Sequence, residues 1–259
     1  MAIELDLSGQ VAIVTGGGKG VGRGITTRFL QAGAEVVICG RSELESPVEA
    51  GGRTAHFCIA DVRDVEQIGG VVDYAKRELG RVDVLVNNAG GAPEADAATV
   101  SPRFSEAILR LNLIAPLNFA QAANAVMQEQ ESGGCIINIA SVSGVRPSPG
   151  TAAYGAAKAG LLSLTTTLAV EWAPKVRMNA VTAGMIRTEQ SHLHYGDEEG
   201  IAAVGATVPL GRIGEPEDVG DACLYLASPL SSYMSGANLL LHGGGEKPAF
   251  LDAAKNTSG

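Results

Sequence analysis

Short apolar runs alternate with helix-like segments along almost the whole chain. The first four runs end in, or just before, glycine, asparagine or aspartate, and each run has the length of one buried strand. We predict strands at residues 11–15, 35–39, 54–61, 82–88, 135–139, 176–181 and 237–241. Runs that are apolar throughout, rather than at every second position, are typical of parallel strands covered on both faces.

The segments between the runs carry helical patterns. We predict helices at residues 23–33, 65–79, 103–130 and 216–227, and a further helix that carries Tyr154 and Lys158 and ends near Pro174. Residues 42–52 are few and contain Pro47, so we expect a turn or a single helical turn there. Alternating strands and helices predict an α/β fold: a doubly wound parallel sheet of about seven strands with helices on both faces.

The segment after the sixth run loses its periodicity between Gly184 and about Glu215. A long irregular segment inside a compact domain is usually functional, so we expect a substrate lid at about residues 184–214. No Ser/Pro-rich linker or charge run divides the 259 residues. A single domain spanning residues 1–259 is therefore expected.

Composition and charge exclude several classes of function. The hydrophobic content of 46% supplies a large core, and the net charge of −9 argues against nucleic acid as a partner. The four cysteines are far apart with no C-x-x-C pair, which fits neither a zinc site nor a disulfide scaffold. No 18-residue apolar stretch and no signal-like start are present. We expect a cytoplasmic protein with no membrane partner.

A glycine cluster, TGGGKGVG, follows the first run and precedes a helix. Strand, glycine turn and helix are the order in which a helix N-terminus can bind a pyrophosphate. Gly16 permits the tight turn, Gly20 lets backbone N–H groups approach the phosphates, and Gly22 lets the helix pack closely on the strand. The spacing is G-x-x-x-G-x-G, and a turn that is only a connector stays an alternative.

The end of the second run bears on the choice of dinucleotide. An acidic residue there would accept from a ribose 2′-hydroxyl, but this chain has Gly40 and Arg41, and Lys19 lies in the glycine turn. Two cations near a 2′-phosphate favour NADP(H) over NAD(H). The alternative is that both side chains are ordinary solvated surface groups.

Polar residues end the next two runs and interrupt a helix. Asp61 can accept from an adenine amino group, or it can cap the helix at 65–79, and both possibilities stay open. Asn87 and Asn88 stand at the carboxyl end of a strand, where open α/β sheets bind ligands. Asn112 lies on an apolar helical face and needs a partner, either structural or a water molecule.

The segment from Ser141 to Lys158 carries the candidate chemistry. Tyr154 and Lys158 are four residues apart on a predicted helix and so share a face. Lowering the phenol pKa from about 10 by about 3 units needs about 4 kcal/mol. One positive charge at ~4 Å supplies that energy in a partly desolvated cleft but not in bulk water. We therefore expect Lys158 to lower the pKa of Tyr154.

His192 and His194 form an H-x-H pair within the expected lid. A zinc site needs a third ligand at a suitable spacing, and none stands nearby. We expect no metal, and these histidines are assigned to substrate contact or to plain surface.

Together, TGGGKGVG, NNAG, Asn112, Ser141 and Tyr154-x-x-x-Lys158 resemble the short-chain dehydrogenase/reductase family, with Ser141 thirteen residues before Tyr154. The similarity extends from about Leu7 to Gly244, and its tail resembles 3-oxoacyl-carrier-protein reductases and hydroxysteroid dehydrogenases. The resemblance implies a Rossmann-type domain and the following catalytic roles. Tyr154 is the acid/base, Lys158 its partner and a ribose ligand, Ser141 polarises the carbonyl, and Asn112 holds a relay water.

The resemblance also implies a set of cofactor contacts. They are Gly16, Gly18, Lys19, Gly20, Val21, Gly22, Arg41, Asp61, Val62, Asn87, Ala89, Gly90, Tyr154, Lys158, Gly184, Ile186 and Thr188. Ala183 stands where the family usually has proline and His242 where it usually has aspartate, which puts the lid geometry and the last strand in doubt. Members usually form homotetramers through two long helices and the last strand.

We expect an NADPH-dependent oxidoreductase that interconverts a ketone and a secondary alcohol. One alternative is a 3-oxoacyl-carrier-protein reductase of fatty-acid synthesis, acting on a 3-oxoacyl thioester. Glu129 and Glu131 argue against that alternative, because related carrier-protein reductases tend to be basic there and an acidic carrier would be repelled. A second alternative is a non-catalytic cofactor-sensing protein, which would not need all four catalytic positions.

Overall fold

Seven parallel strands form the central sheet of the computed structural model, which describes residues 5–248, 250–251 and 254. Two further short strands, β3 and β4, pair antiparallel as a separate hairpin. The strands are β1 Val11–Thr15, β2 Glu35–Gly40, β3 Glu49–Ala50, β4 Arg53–Thr54, β5 His56–Ile59, β6 Val84–Asn87, β7 Gly134–Ser141, β8 Val176–Ala183 and β9 Asn238–Leu241.

The strand order is β5-β2-β1-β6-β7-β8-β9, so the chain winds outward from β1 in both directions. The seven predicted strands are therefore confirmed, and the first has the predicted bounds. Their apolar sequences reflect burial on both faces, because β1 and β6 contain only buried residues.

Helices cover both faces of the sheet. They are α1 Gly20–Gln31, α2 Val65–Leu79, α3 Pro102–Leu109, α4 Ala115–Glu129, α5 Ala152–Glu171, α6 His192–Tyr195, α7 Glu198–Thr207 and α8 Pro216–Ala227. One core cluster packs α1 and α8 on one face, and a second packs α2, α4 and part of α5 on the other. The described residues thus form one α/β domain of the predicted class.

Of the two possibilities for residues 42–52, the structure shows a turn: Glu49–Ala50 pairs with Arg53–Thr54 across Gly51 and Gly52, both at positive φ. Two other local predictions differ from the structure. The predicted helix at 103–130 is interrupted by a π-helical turn, Arg110–Ile114. The expected lid is not irregular, since it contains α6 and α7.

The glycines of α7 explain why the sequence pattern does not predict this helix. Glycine weakens an isolated helix, but a Cβ at Gly200 would lie 2.0 Å from the Tyr195 carbonyl oxygen, and one at Gly205 would lie 3.3 Å from the Ile213 nitrogen. Asp197 caps the helix by accepting from the Gly200 N–H at 3.0 Å. Packing and capping therefore stabilise a helix that its composition does not favour.

None of the helices within the described residues is both long enough and apolar enough to span a bilayer.

Candidate active site

One cleft of about 1170 Å³ lies along the carboxyl ends of the central strands. Its volume exceeds the range of about 300–1,000 Å³ that is typical for sites of drug-sized ligands, so an extended ligand fits. The predicted residues on its wall are Gly16, Gly18, Lys19, Gly20, Val21, Gly22, Arg41, Asp61, Val62, Ala89, Gly90, Ser141, Tyr154, Lys158, Gly184, Ile186 and Thr188. The side chains of Asn87 and Asn112 are buried and do not line the cleft.

The glycine turn between β1 and α1 is shaped as a phosphate cradle. Gly16 has φ +65°, and a Cβ on Gly22 would lie 2.2 Å from the Gly16 carbonyl oxygen. A side chain on Gly18 would meet Leu44 at 2.3 Å. These positions therefore need glycine, and α1 begins at Gly20 with its first N–H groups facing the cleft. This arrangement fits the pyrophosphate of a dinucleotide.

Thr15 joins the glycine turn to the end of β6. Its Oγ1 accepts from the backbone N–H groups of Asn88 and Ala89, both at 2.9 Å. The Asn88 amide in turn donates to the Thr15 carbonyl oxygen at 2.9 Å. No sequence motif indicates this role of Thr15, because a threonine at a strand end has many ordinary explanations.

The end of the cleft near β2 and β5 carries opposite charges. Arg63 donates to both carboxylate oxygens of Asp61, through Nε at 2.9 Å and Nη2 at 2.6 Å. These hydrogen bonds lower the pKa of Asp61 to about 2, and the charge of the exposed Arg41 contributes. The helix-cap alternative for Asp61 is wrong, because Asp64 caps α2 by accepting from Glu66 and Gln67.

Asn87 has a structural role that the sequence did not reveal. Its Nδ2 donates to the Pro116 carbonyl oxygen at 3.1 Å and to Asn138 Oδ1 at 2.9 Å, and Asn138 donates to Thr165. The side chain is buried in this network and does not line the cleft, so its contact with a cofactor stays a prediction. Asn88 takes the place on the cleft wall.

Ser141, Tyr154 and Lys158 meet at the other end of the cleft. Ser141 is the last residue of β7, and Tyr154 and Lys158 lie one turn apart on α5. The Lys158 ammonium donates to the Ile139 carbonyl oxygen at 2.7 Å and lies 5.6 Å from the centre of the Tyr154 ring. The predicted neighbourhood of phenol, ammonium and hydroxyl is therefore present.

The effect of Lys158 on the pKa of Tyr154 is not the expected one. Burial raises the pKa of the phenol, and the hydrogen bond with the Ser141 hydroxyl only partly opposes this. Lys158 is 3% exposed, and burial lowers its pKa to about 8. Desolvation of both groups outweighs their mutual attraction, so in the chain alone the phenol keeps its proton at neutral pH.

Asn112 is fully buried in the π-helical turn. Its Oδ1 accepts from the Gly91 N–H at 2.8 Å, and its Nδ2 donates to the carbonyl oxygens of Gly91 and Ile108 at 3.0 and 2.9 Å. A Cβ on Gly90 would lie 2.6 Å from Asn112 Oδ1 and 3.4 Å from Lys158 Nζ. Asn112 therefore holds the loop after β6 close to Lys158.

The lid is closed at its base by backbone hydrogen bonds. Gly214 donates to the Met185 carbonyl oxygen at 2.9 Å, and Arg187 donates to that of Gly214 at 2.7 Å. Gly184 donates to the Leu241 carbonyl oxygen at 2.8 Å, and a Cβ on it would lie 2.8 Å from His242 Cβ. Backbone pairing and contact with His242 thus hold the turn after Ala183.

Glu189 and Arg146 are cleft residues that sequence analysis did not identify. The Glu189 carboxylate accepts from the Gly20 N–H at 3.3 Å and so lies at the N-terminus of α1. Arg146 lies on the loop before α5 and forms an ion pair with Glu246. No motif marks either residue, since both contacts join segments far apart in the chain.

A family model described as enoyl-(acyl carrier protein) reductase matches residues 16–246. An uncharacterized oxidoreductase of Mycobacterium tuberculosis is 37% identical over 92% of both chains. A 3alpha-hydroxysteroid dehydrogenase of Mediterraneibacter gnavus is 35% identical, covering 92% of this chain and 97% of the relative. The 3-oxoacyl-[acyl-carrier-protein] reductase of Thermotoga maritima is 36% identical, covering 92% and 98%.

The solved structures agree with these relatives. A short-chain type dehydrogenase/reductase from Mycobacterium marinum superposes with a TM-score of 0.86 at 33% identity, covering 95% of this chain and 98% of that one.

Proposed function

The chain belongs to the short-chain dehydrogenase/reductase family of NAD(P)-dependent oxidoreductases, and from this premise we propose that it interconverts a ketone and a secondary alcohol with NADPH. The observation that carries the proposal is the meeting of Ser141, Tyr154 and Lys158 in the same cleft as the glycine turn. Dehydrogenases among its relatives and structural neighbours support the reaction class.

The site geometry supports the following residue roles. Bound in the cleft, the dinucleotide supplies the hydride to the carbonyl carbon. The Tyr154 hydroxyl donates its proton to the carbonyl oxygen, and the Ser141 hydroxyl donates a hydrogen bond to that oxygen. Because burial raises the pKa of Tyr154, the phenol is a proton donor at neutral pH, which favours carbonyl reduction. Lys158 stabilises the phenolate that remains.

Tyr154→Phe tests the proposal directly. The substitution removes the proton donor and keeps the ring, so turnover of any accepted ketone should fall by at least about a thousandfold, within the usual range for acid/base catalysis. The Kd for NADPH, measured by fluorescence titration, should change by less than about threefold. Ser163→Ala, on the exposed face of α5, is the matched control and should keep full activity. Wild-type activity in Tyr154→Phe would refute the mechanism.

We propose that Arg41 and Lys19 select NADPH over NADH. Both side chains are exposed on the cleft wall, and Arg41 lies close enough to Asp61 to lower its pKa. A carboxylate at position 41 would repel a 2′-phosphate and accept from a 2′-hydroxyl. Arg41→Asp should therefore shift the ratio of kcat/KM values toward NADH by at least about tenfold. An unchanged ratio would show that Arg41 does not select the cofactor.

A carrier-protein-dependent 3-oxoacyl reductase is the second candidate function. The Thermotoga maritima relative supports it at 36% identity. The end of α4 opposes it, because Glu129 and Glu131 are exposed there, although Lys76 pairs with Glu129 at 2.8 Å. A binding protein without chemistry is a weaker candidate, since all four catalytic positions are filled.

We propose that the protein is a homotetramer that associates through its long helices and last strand. Apolar side chains on these elements support this, with Val170 of α5 at 79% exposure and Leu240 of β9 at 46%. Contiguous exposed apolar surface is typical of subunit interfaces. Light scattering should give four times the subunit mass of 26.5 kDa, and a monomeric mass would contradict the proposal.

A further inference from the structure

The substrate end of the cleft has a polar wall. Within the described loop between β7 and α5, the cleft residues are Ser141, Val142, Ser143, Arg146 and Ser148, and among them only Val142 is apolar. Ser143 and Thr151 donate to the Ser148 hydroxyl at 3.1 and 2.8 Å, which fixes the loop. A steroid nucleus or a long acyl chain requires a broad apolar wall, and this loop does not provide one.

Arg146 places a positive charge at this end. Of the other described cations on the wall, Lys158 is buried beside Tyr154, and four lie at the glycine turn and near the ends of β2 and β5: Lys19, Arg23, Arg41 and Arg63. Arg146 stands five residues after Ser141 and eight before Tyr154. Arg146 thus belongs to the same loop as Ser141 and lines the same cleft as Tyr154.

The guanidinium of Arg146 is paired with a carboxylate of the protein itself. Arg146 Nη2 donates to Glu246, and Nη1 donates to the Pro147 carbonyl oxygen at 2.9 Å. Tyr195 of α6 lies beside both charges: burial raises its pKa, Glu246 raises it further and Arg146 opposes this. The loop, the lid and the C-terminal segment thus meet at one ion pair next to the substrate end.

We propose that the substrate is a small ketone bearing a carboxylate, and that Arg146 binds this carboxylate in place of Glu246. The proposal rests on the ketone reduction proposed above and names its substrate class. Arg146 and Glu246 keep side-chain exposures of 38% and 44%, and an ion pair this exposed contributes little net stability. One carboxylate can therefore replace another at little cost, and the planar guanidinium fits either.

Glu94 is the opposing charge. It lies on the wall beside Gly150, within 3.7 Å of where a Cβ would stand. A carboxylate on this wall should repel an anionic substrate, so Glu94→Gln should raise the ratio of kcat/KM for the acid to that for its ester.

The test compares short 2-, 3- and 4-oxo acids with their methyl esters, which lack the negative charge and add one methyl group. NADPH oxidation gives kcat/KM for each member of a pair. The wild-type protein should prefer the acid of at least one pair by about tenfold or more, as one charge-assisted contact supplies. Arg146→Gln should abolish that preference, because the acid should lose far more of its kcat/KM than the ester, whereas Glu246→Gln should increase the preference. Arg187→Gln, which lies off the cleft wall and pairs with Glu198, is the matched control and should keep the wild-type preference.

Four outcomes would overturn the inference. Acids and esters reduced equally well, or an Arg146→Gln variant that loses both rates equally, would show that the guanidinium does not recognise an anion. Turnover of neutral ring or steroid ketones without any turnover of oxo acids would overturn the inference while leaving the proposed reaction intact. No NADPH oxidation with any ketone would overturn both.

Discussion

Lys158 brings an ammonium group into the protein interior with one hydrogen-bond acceptor, the Ile139 carbonyl oxygen. Desolvation disfavours its charged form, which is why its pKa falls from 10.5 to about 8. By linkage, this shift corresponds to a loss of about 3 kcal/mol of folding stability when the group is charged in both states. Lys158, which we propose supports the chemistry, therefore lowers the folding stability of the protein.

Lys158→Met should make the protein more stable at pH 7 and inactive. Removing the buried charge gains about 3 kcal/mol, and leaving Ile139 without its donor costs about 1–2 kcal/mol, so a net gain of about 1–2 kcal/mol is expected. The penalty is full below the folded-state pKa of about 8 and disappears as pH rises to 10.5. The advantage of the variant should therefore shrink between pH 8 and 10.5.

Urea denaturation at pH 7 and pH 10 measures this difference. Lys175→Met, which removes an exposed ammonium, is the control and should show no comparable gain at pH 7. A Lys158→Met variant that is less stable than the wild type at both pH values would contradict the burial argument.

At the level of residues, sequence predicted what local spacing encodes. The four-residue interval between Tyr154 and Lys158 and the glycines of the first turn are properties of one helix and one turn. The role of Asn87 could not be obtained this way, because Pro116 and Asn138 come from other elements. For the same reason the pKa of Tyr154 was misjudged: burial is a property of the whole packing, not of the spacing.

The lid and α1 touch at one charged contact. Glu189 accepts from the Gly20 N–H, one of the groups that the pyrophosphate is proposed to bind, and Thr188 lies beside the same glycine. A carboxylate at a helix N-terminus is stabilised by about 0.3–1 kcal/mol. We therefore infer that Glu189 and a bound dinucleotide compete for the N–H groups in the first turn of α1.

Glu189→Gln should tighten NADPH binding about two- to fivefold, because the amide keeps the size of the side chain and loses the charge that competes at this terminus. Fluorescence titration of NADPH measures the change in Kd. Glu198→Gln, in the same lid but paired with Arg187, is the control and should bind like the wild type. Equal tightening in both variants would mean that overall charge, and not the contact with Gly20, is responsible.

Elements with strong patterns were predicted well and those with weak patterns were not. α2 has its predicted bounds, 65–79, because an Asp64 cap and a left-handed Gly80 end it sharply. The hairpin of β3 and β4 has two residues per strand, too few to show any periodicity. The π-helical turn leaves the helical pattern almost unchanged, so only the structure shows it.

At the scale of the whole molecule, we expect the net charge to determine whether a carrier-protein thioester or a coenzyme A thioester is the better substrate. A chain of charge −9 with Glu131 exposed at the end of α4 repels an acidic carrier protein. If 3-oxoacyl thioesters are reduced at all, kcat/KM should be higher for the coenzyme A ester than for the same acyl group on carrier protein. Raising the ionic strength should reduce the difference between the two kcat/KM values, since salt screens this repulsion. A preference for the carrier-bound group would favour the fatty-acid reductase alternative.

The pairing of Ile186 with Gly214 joins the two ends of the lid beside the sheet. Residues 187–213 therefore form a closed loop, and displacing its tip breaks no hydrogen bond of β8 or β9. Substitutions at exposed positions of this loop are consequently expected to alter nucleotide exchange with little effect on resistance to denaturation. Substitutions at its buried Ile201, Val208 and Ile213 should lower that resistance.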